Sequence, residues 1–261
     1  MKITLTGKNA LVGGSSKGIG KAIAYQLAES GANVTLMARN EAKLKEVLDT
    51  LNTDHGQKHQ FLVVDFSDFD AYKKTIVSFF QSNTIDILIN NTQGPQGGGA
   101  LEKSVNDYQE AFDLLFKSVV FTTELALKHM QQKKWGRIVN VASISVKEPL
   151  NYLALSNSIR AAVVTWAKSL AFDIAKDGIT INNVLTGYFD TDRITQLNAK
   201  KAEKMGISAE EVRSNMENQV PMKRIGNPEE YGFLVAFLSS DKAAYITGTN
   251  IPIDGGLLKS L

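Results

Sequence analysis

Short apolar runs alternate along this chain with stretches of helical spacing. Asn9 to Gly14 is a compact apolar segment; a glycine-bearing turn follows, and then Lys21 to Ala28, where Ile23, Ala24 and Leu27 share one face. That pattern predicts strand, turn and helix. Asn33 to Ala38 reads as a second strand, and Asn40 is placed to cap a helix carrying Leu44, Val47, Leu48 and Leu51 on one side. Gln60 to Asp65 and Ile85 to Asn90 predict the third and fourth strands, with Tyr72, Ile76, Phe79 and Phe80 marking the helix between them. A mostly helical stretch from Val105 to Gln131 leads to a fifth strand, Arg137 to Ala142. A buried helix over 161–175 leads to a sixth, Thr180 to Leu185. Pro228 suits the first turn of a helix reaching Leu238, and Thr249 to Gly256 ends as a strand and turn.

Strands that are apolar on both faces and separated by helices predict an α/β fold. The expectation is one Rossmann-like, doubly wound parallel sheet with helices on both faces, forming a single domain over residues 1–261. No internal repeat, low-complexity tract or linker interrupts it. One segment, about 188–220, stands outside the alternation. Within it Ser208 and Glu211 have the spacing of a capping box, so a short helix should present Val212 and Met216 as its apolar face. A helical insertion placed over strand ends is suited to act as a substrate lid.

Composition narrows the chemistry. With 29 basic and 27 acidic residues the formal net charge is +2, and the basic residues are scattered, which gives no case for a nucleic-acid or membrane-surface partner. The absence of cysteine removes disulfides, thiolate metal sites and cysteine nucleophiles, and no metal is expected. No run approaches the length of a membrane span and the N-terminus lacks the apolar core of a signal peptide, so a cytoplasmic location is expected.

The candidate chemistry lies in the turns. Gly14, Gly18 and Gly20, with Ser16, Lys17 and Ile19 between them, allow close backbone approach at a helix N-terminus, where amides can receive phosphate. In dinucleotide folds an acid at the end of the second strand favours a free ribose hydroxyl, and a base favours a 2'-phosphate. Here the end reads Ala38, Arg39, Asn40, without an acid. Arg39 and Lys17 together therefore favour NADP over NAD. Asp65, Asn90 and Asn91 fall at strand ends, where such sheets bind ligands, and the glycine-rich stretch 92–99 is placed to wall a pocket. Ser143 to Arg160 packs hydroxyls, the Tyr152 phenol and a guanidinium between two apolar segments, which marks it as a site.

Together these residues resemble the short-chain dehydrogenase/reductase family, and most closely its 3-oxoacyl carrier-protein reductase-like members, over nearly the whole chain. Gly14, Gly18 and Gly20 are similar to its glycine motif, with Gly13 in place of a threonine. Asp65 matches the adenine-side aspartate, Asn90 and Asn91 begin its Asn-Asn-Ala-Gly motif, and Thr186 and Gly187 stand for its Pro-Gly turn. Asp254 to Gly256 matches the terminal motif. The departures at Thr92, Gln93 and Thr186 imply shifted loops. The resemblance also implies that Phe66, Gly187, Phe189 and Thr191 line the cofactor, that the substrate is a small molecule, and that the chain forms a dimer or tetramer.

The family's catalytic set is Asn, Ser, Tyr and Lys. Aligning Lys168 to Ala171 puts Ser156 at the tyrosine and Arg160 at the lysine, and counting back from Gly136 puts Leu115 at the asparagine; Ser143 is retained. An aliphatic hydroxyl is a weak acid, and arginine stays protonated and cannot relay a proton, though it can hold ribose hydroxyls. Tyr152 offers a substitute if the helix already includes it, one turn before Ser156; otherwise its ring packs against the sheet edge or the lid. The primary expectation is an NADP(H)-dependent oxidoreductase acting on a carbonyl or alcohol, through Ser143, Tyr152, Ser156 and Arg160. The alternatives are a non-catalytic NADP-binding sensor or structural partner, and non-redox chemistry on the same scaffold.

Overall fold

The computed structural model describes residues 2–260. Strand β1 (Asn9–Gly13) runs through the glycine turn into helix α1 (Gly18–Glu29), followed by β2 (Asn33–Ala38), α2 (Glu41–Leu48), β3 (Gln60–Val63), α3 (Phe69–Ser82) and β4 (Ile87–Asn90). Then come α4 (Val105–Phe112) and α5 (Ser118–Lys133), joined by a π-helical turn (Asp113–Lys117), and β5 (Gly136–Val141). The remainder is α6 (Ala154–Ile174), β6 (Ile179–Thr186), α7 (Asp192–Met205), α8 (Ala209–Gln219), α9 (Pro228–Leu238) and β7 (Asn250–Ile253).

All strand pairs are parallel, in the order β3-β2-β1-β4-β5-β6-β7, so the expected doubly wound sheet is present. Successive side chains on a strand point to opposite faces, which splits the core in two. Ala10, Val12, Ile87, Ile89 and Val139 pack with Ile23 and Leu27 of α1, Leu44 of α2 and Val235 of α9. Leu11, Leu88, Ile138 and Ile181 pack on the other face with Ile76 of α3, Met130 of α5 and Ala167 of α6. Chain direction across the sheet reverses between β1 and β4, which opens a crevice at their carboxyl ends. No helix among the described residues is long and apolar enough to cross a membrane.

Several helix starts have the physical cause that the sequence suggests. Asn40 Oδ1 accepts from Lys43 N–H at 3.0 Å, and Ser208 Oγ accepts from Glu211 N–H at 3.0 Å to begin α8. Val212 and Met216 are buried as expected. The segment before α8 holds a second helix, α7, which buries Asn198 and Ala202.

The amino end of the sheet is closed by paired charges. Buried Asp86 receives Lys133 Nζ at 2.6 Å and the Asn9 N–H at 2.9 Å. Arg137, 2% exposed, donates to Ser240 O, Gly136 O and Gly178 O and pairs with Asp241 at 3.2 Å. Lys134 holds Asp177 at 2.6 Å. Towards the opposite end, on the α5/α6 face, four asparagines align in strand register. Asn90 Nδ2 donates to Asn140 Oδ1 at 2.9 Å, Asn140 Nδ2 to Asn183 Oδ1 at 2.8 Å, and Asn183 Nδ2 to Asn250 Oδ1 at 2.8 Å. Asn90 also donates to Thr123 Oγ1 of α5 at 3.1 Å.

Candidate active site

The glycine turn is held from two sides. Buried Ser15 accepts the Met37 N–H on its Oγ at 2.8 Å, which fixes the turn to β2. Asn91 Nδ2 donates to Gly13 O at 3.0 Å, which fixes it to the end of β4. Gly18 has φ +54°, a left-handed backbone that favours glycine, and a Cβ on Gly13 would lie 2.3 Å from Asn91 O. Gly13 therefore replaces threonine because the Asn91 carbonyl occupies that volume. Lys17 precedes α1 without capping it by its side chain, so the first amides of the helix remain available to an anion. This turn fits a dinucleotide phosphate.

The cations expected at the ribose each have a carboxylate partner. Arg39 lies 3.7 Å from Asp65, and Lys17 lies 3.3 Å from Asp192 at the start of α7; all four side chains are largely open to water. Burial opposes ionisation of Asp65, but hydrogen bonds from Ser67 and the charge of Arg39 outweigh it and hold the carboxyl below its ordinary range. Such exposed pairs contribute about 0–1 kcal/mol, so either cation can turn to a phosphate. Phe66 and Phe189 do not line the crevice with their rings. Phe66 packs against Tyr72 in the core with its ring tilted 38°, and Phe189 meets Tyr231 edge-on.

Ser143 follows β5 in extended backbone, and its Oγ accepts the Ser145 N–H at 3.1 Å, leaving its own O–H for a carbonyl oxygen. Ser156 is buried in the first turns of α6, where its Oγ accepts from Arg160 Nε at 3.2 Å. Arg160 Nη1 donates to Val141 O at the end of β5. Arg160 lines a small recess together with Asn90, Leu115, Asn140 and Ala142. Burial disfavours its charged form, opposed by Tyr231, and the neighbouring Arg193 adds to the effect. Leu115 sits within the π-helical turn, so an apolar side chain stands where the family would place a catalytic amide.

Of the two alternatives for Tyr152, the helix start decides: α6 begins at Ala154, and Tyr152 lies before it. Its backbone O accepts the Gly98 N–H at 2.7 Å, and Ala154 N–H donates to Gly98 O at 3.1 Å; the glycine-rich stretch thus fixes where the helix can begin. The Tyr152 phenol lies beside that of Tyr188, at the foot of the α7 segment. Burial, and then the neighbouring Tyr188 phenol, push Tyr152 up to about 12. Tyr188 was not singled out from sequence; its signal was its place in the turn after β6.

The elements after β6 close around the same crevice. Gly187 donates its N–H to Ile253 O at 3.0 Å, and a Cβ there would lie 2.6 Å from Asp254 Cα, so the turn after β6 and the terminal motif need each other's contours. Thr186, in place of proline, shares a 3.0 Å hydrogen bond with Tyr231. Thr191 caps α7 and lies against Gly18. From the next residues, Asp192 reaches Lys17, and Arg193 Nη2 donates to Pro95 O at 3.0 Å. The glycine turn, Ser143, Ser156, Arg160 and the α7 start therefore come together. Arg39 and Asp65 stand at the β2/β3 end of the crevice, while Tyr152 stands at the opposite mouth.

Residues 14–258 match the family described as Enoyl-(Acyl carrier protein) reductase. The chain is 34% identical over 259 residues to 3-oxoacyl-[acyl-carrier-protein] reductase FabG of Vibrio cholerae, spanning 98% of this chain and 99% of that protein. It is 30% identical over 260 residues to the NADPH-dependent reductase BacG of Bacillus subtilis, with 97% and 99% covered. L-sorbose reductase from Gluconobacter frateurii, solved with NADPH and L-sorbose, superposes with a TM-score of 0.92 at 29% identity, with both chains fully covered (100%). The glycine turn, the sheet order and these likenesses agree, and the chain belongs to the short-chain dehydrogenase/reductase family.

Proposed function

We propose that the protein is an NADP(H)-dependent oxidoreductase that interconverts a carbonyl and an alcohol on a small molecule. The observation that carries this reading is the shared carboxyl edge of the sheet: an uncapped α1 N-terminus follows the glycine turn after β1, and a serine hydroxyl, Ser143, with its O–H uncommitted follows β5. NADP fits this crevice, with Gly14 to Gly20 for the pyrophosphate, Arg39 and Lys17 for the 2'-phosphate, and Arg160 for ribose hydroxyls. When bound, it supplies the hydride that reaches the carbonyl carbon.

The chain's own residues handle the oxygen. Ser143 donates to the carbonyl oxygen and withdraws charge from it as the carbon is reduced. Arg160 stays charged and, tied to Val141 O and Ser156, holds its place at the floor. The oxygen needs one proton, and the Tyr152–Tyr188 pair is the titratable group at the mouth that can deliver it from solvent. A Tyr152 phenol near 12 keeps its proton through the whole neutral range. Reduction should therefore show no basic limb below about pH 10. Alcohol oxidation, which needs the deprotonated pair, should keep rising with pH.

Purified protein mixed with NADPH and a panel of ketones and aldehydes tests the reading by the loss of nicotinamide absorbance. Turnover of at least one carbonyl is expected, with Tyr152→Phe slower by at least about tenfold. NADPH binding without any turnover would favour the sensor reading, which the named reductase relatives otherwise disfavour. We also propose a homo-oligomer. The stacked Phe112 and Phe116, with Trp166 beside them, form a partly open aromatic strip on α4 to α6. Sedimentation should give a mass above the monomer.

A further inference from the structure

The chain has six arginines, and they divide by location. The four away from the α6/α7 mouth each have a carboxylate within reach: Arg39 with Asp65 at 3.7 Å, Arg137 with Asp241 at 3.2 Å, Arg213 with Asp190 at 2.9 Å and Arg224 with Glu230 at 2.6 Å. Among the described residues, Arg160 and Arg193 have none. Arg160 spends its bonds on a hydroxyl and a carbonyl, and Arg193 donates one Nη2 bond to the Pro95 carbonyl. Each guanidinium carries five N–H donors, so donors remain on both. The charge of Arg193 adds to the burial that disfavours the charged form of Arg160. A cation near another without a counter-ion is disfavoured, and an anion bound beside it removes that penalty.

The position of Arg193 separates it from the cofactor's phosphates. Asp192 turns to Lys17 beside the glycine turn, while Arg193, the next residue, turns the other way to Pro95. Gly94 lies beside its guanidinium, and the same 92–99 stretch includes Gly98, which pairs with Tyr152 and Ala154. Arg193 thus belongs to the wall that also carries the Tyr152–Tyr188 pair. We propose that Arg193, backed by Arg160, binds an oxyanion of the substrate, a carboxylate or phosphate close to the reacting carbonyl. This rests on the reductase reading and narrows it to anionic oxo compounds.

The test uses the NADP+-loaded protein and titrates acetoacetate and pyruvate against their methyl esters by calorimetry, without turnover. At least one acid should bind at least about tenfold tighter than its ester, a difference of roughly 1.4 kcal/mol. Arg193→Gln should abolish that preference while leaving the NADP+ dissociation constant within about twofold, and Arg193→Lys should retain part of it. Equal binding of acid and ester, or no binding of either acid at tens of millimolar, would overturn the proposal. A loss of NADP+ affinity in Arg193→Gln as large as the loss of acid binding would also overturn it, since the anion would then belong to the cofactor. If NADP+ itself fails to bind, the reductase reading falls, and the acid preference measured on the free protein decides the anion site separately.

Discussion

The two ends of the parallel sheet treat charge in opposite ways. At the amino end Asp86, Lys133, Arg137, Lys134 and Asp177 are knitted into hydrogen-bonded pairs, and Trp135 donates to Asp241 at 2.8 Å to cover Arg137. At the carboxyl end the α1 amides are uncapped, the Ser143 O–H is uncommitted, and Arg160 and Arg193 have no carboxylate partner among the described residues. Burial alone does not account for this, because Arg137 and Arg160 both reach carbonyls at or near strand ends. What differs is whether a counter-ion is supplied by the chain or left to a ligand. One end is finished by folding, and the other by binding.

Variants at each end sharpen that contrast. Arg137→Ala should have the largest effect on stability, lowering urea-unfolding free energy by about 2–4 kcal/mol, because three carbonyls lose their donor. NADPH affinity measured by fluorescence should change little; a large change would join the two ends energetically. Asn140→Ala should destabilise by about 1–3 kcal/mol, since Asn90 loses an acceptor and Asn183 a donor. Gly13→Thr, which restores the family's residue, should lower NADPH affinity at least about tenfold, because its Cβ meets the Asn91 carbonyl and overpacked sites shift their backbone. An unchanged affinity would show that the β4 loop yields freely. The smallest effect is expected from Arg39→Ala, with stability within about 0.5 kcal/mol of the parent. NADPH binding should weaken several-fold more than NADH binding, and an equal change in both would contradict the 2'-phosphate assignment.

Much of the fold was legible because its signals are local. Short apolar runs marked the seven strands within a few residues, and Asn40 and Ser208 marked helix starts by chemistry confined to one turn. The start of α6 was not legible, since it depends on Gly98 pairing with residues 152–154 far along the chain. Helix α7 was not singled out although Ile194, Leu197 and Met205 recur at helical spacing, because Lys, Asn and Glu residues outnumber them, and only Asn198 and Ala202 are buried. At the site, the register of Ser156 and Arg160 could be counted from Lys168 to Ala171, but the pairing of Tyr152 with Tyr188 exists only in space. The Gly13 substitution looked like a lapse from the motif; the volume taken by the Asn91 carbonyl explains it.

The row of asparagines has a consequence for how the sheet assembles. Asn140 and Asn183 each give an amide proton to one neighbour and take one from the other, so a half-built sheet that stops at β5 or β6 buries an amide with a bond missing. Leaving such a group unpaired costs about 1–3 kcal/mol. A slip by one residue between any two of these strands would turn the aligned amides to opposite faces. The row therefore works as a tumbler lock, in which β4 to β7 must all arrive in step. The last strand of the chain turns the key, because the Asn250 oxygen completes the row.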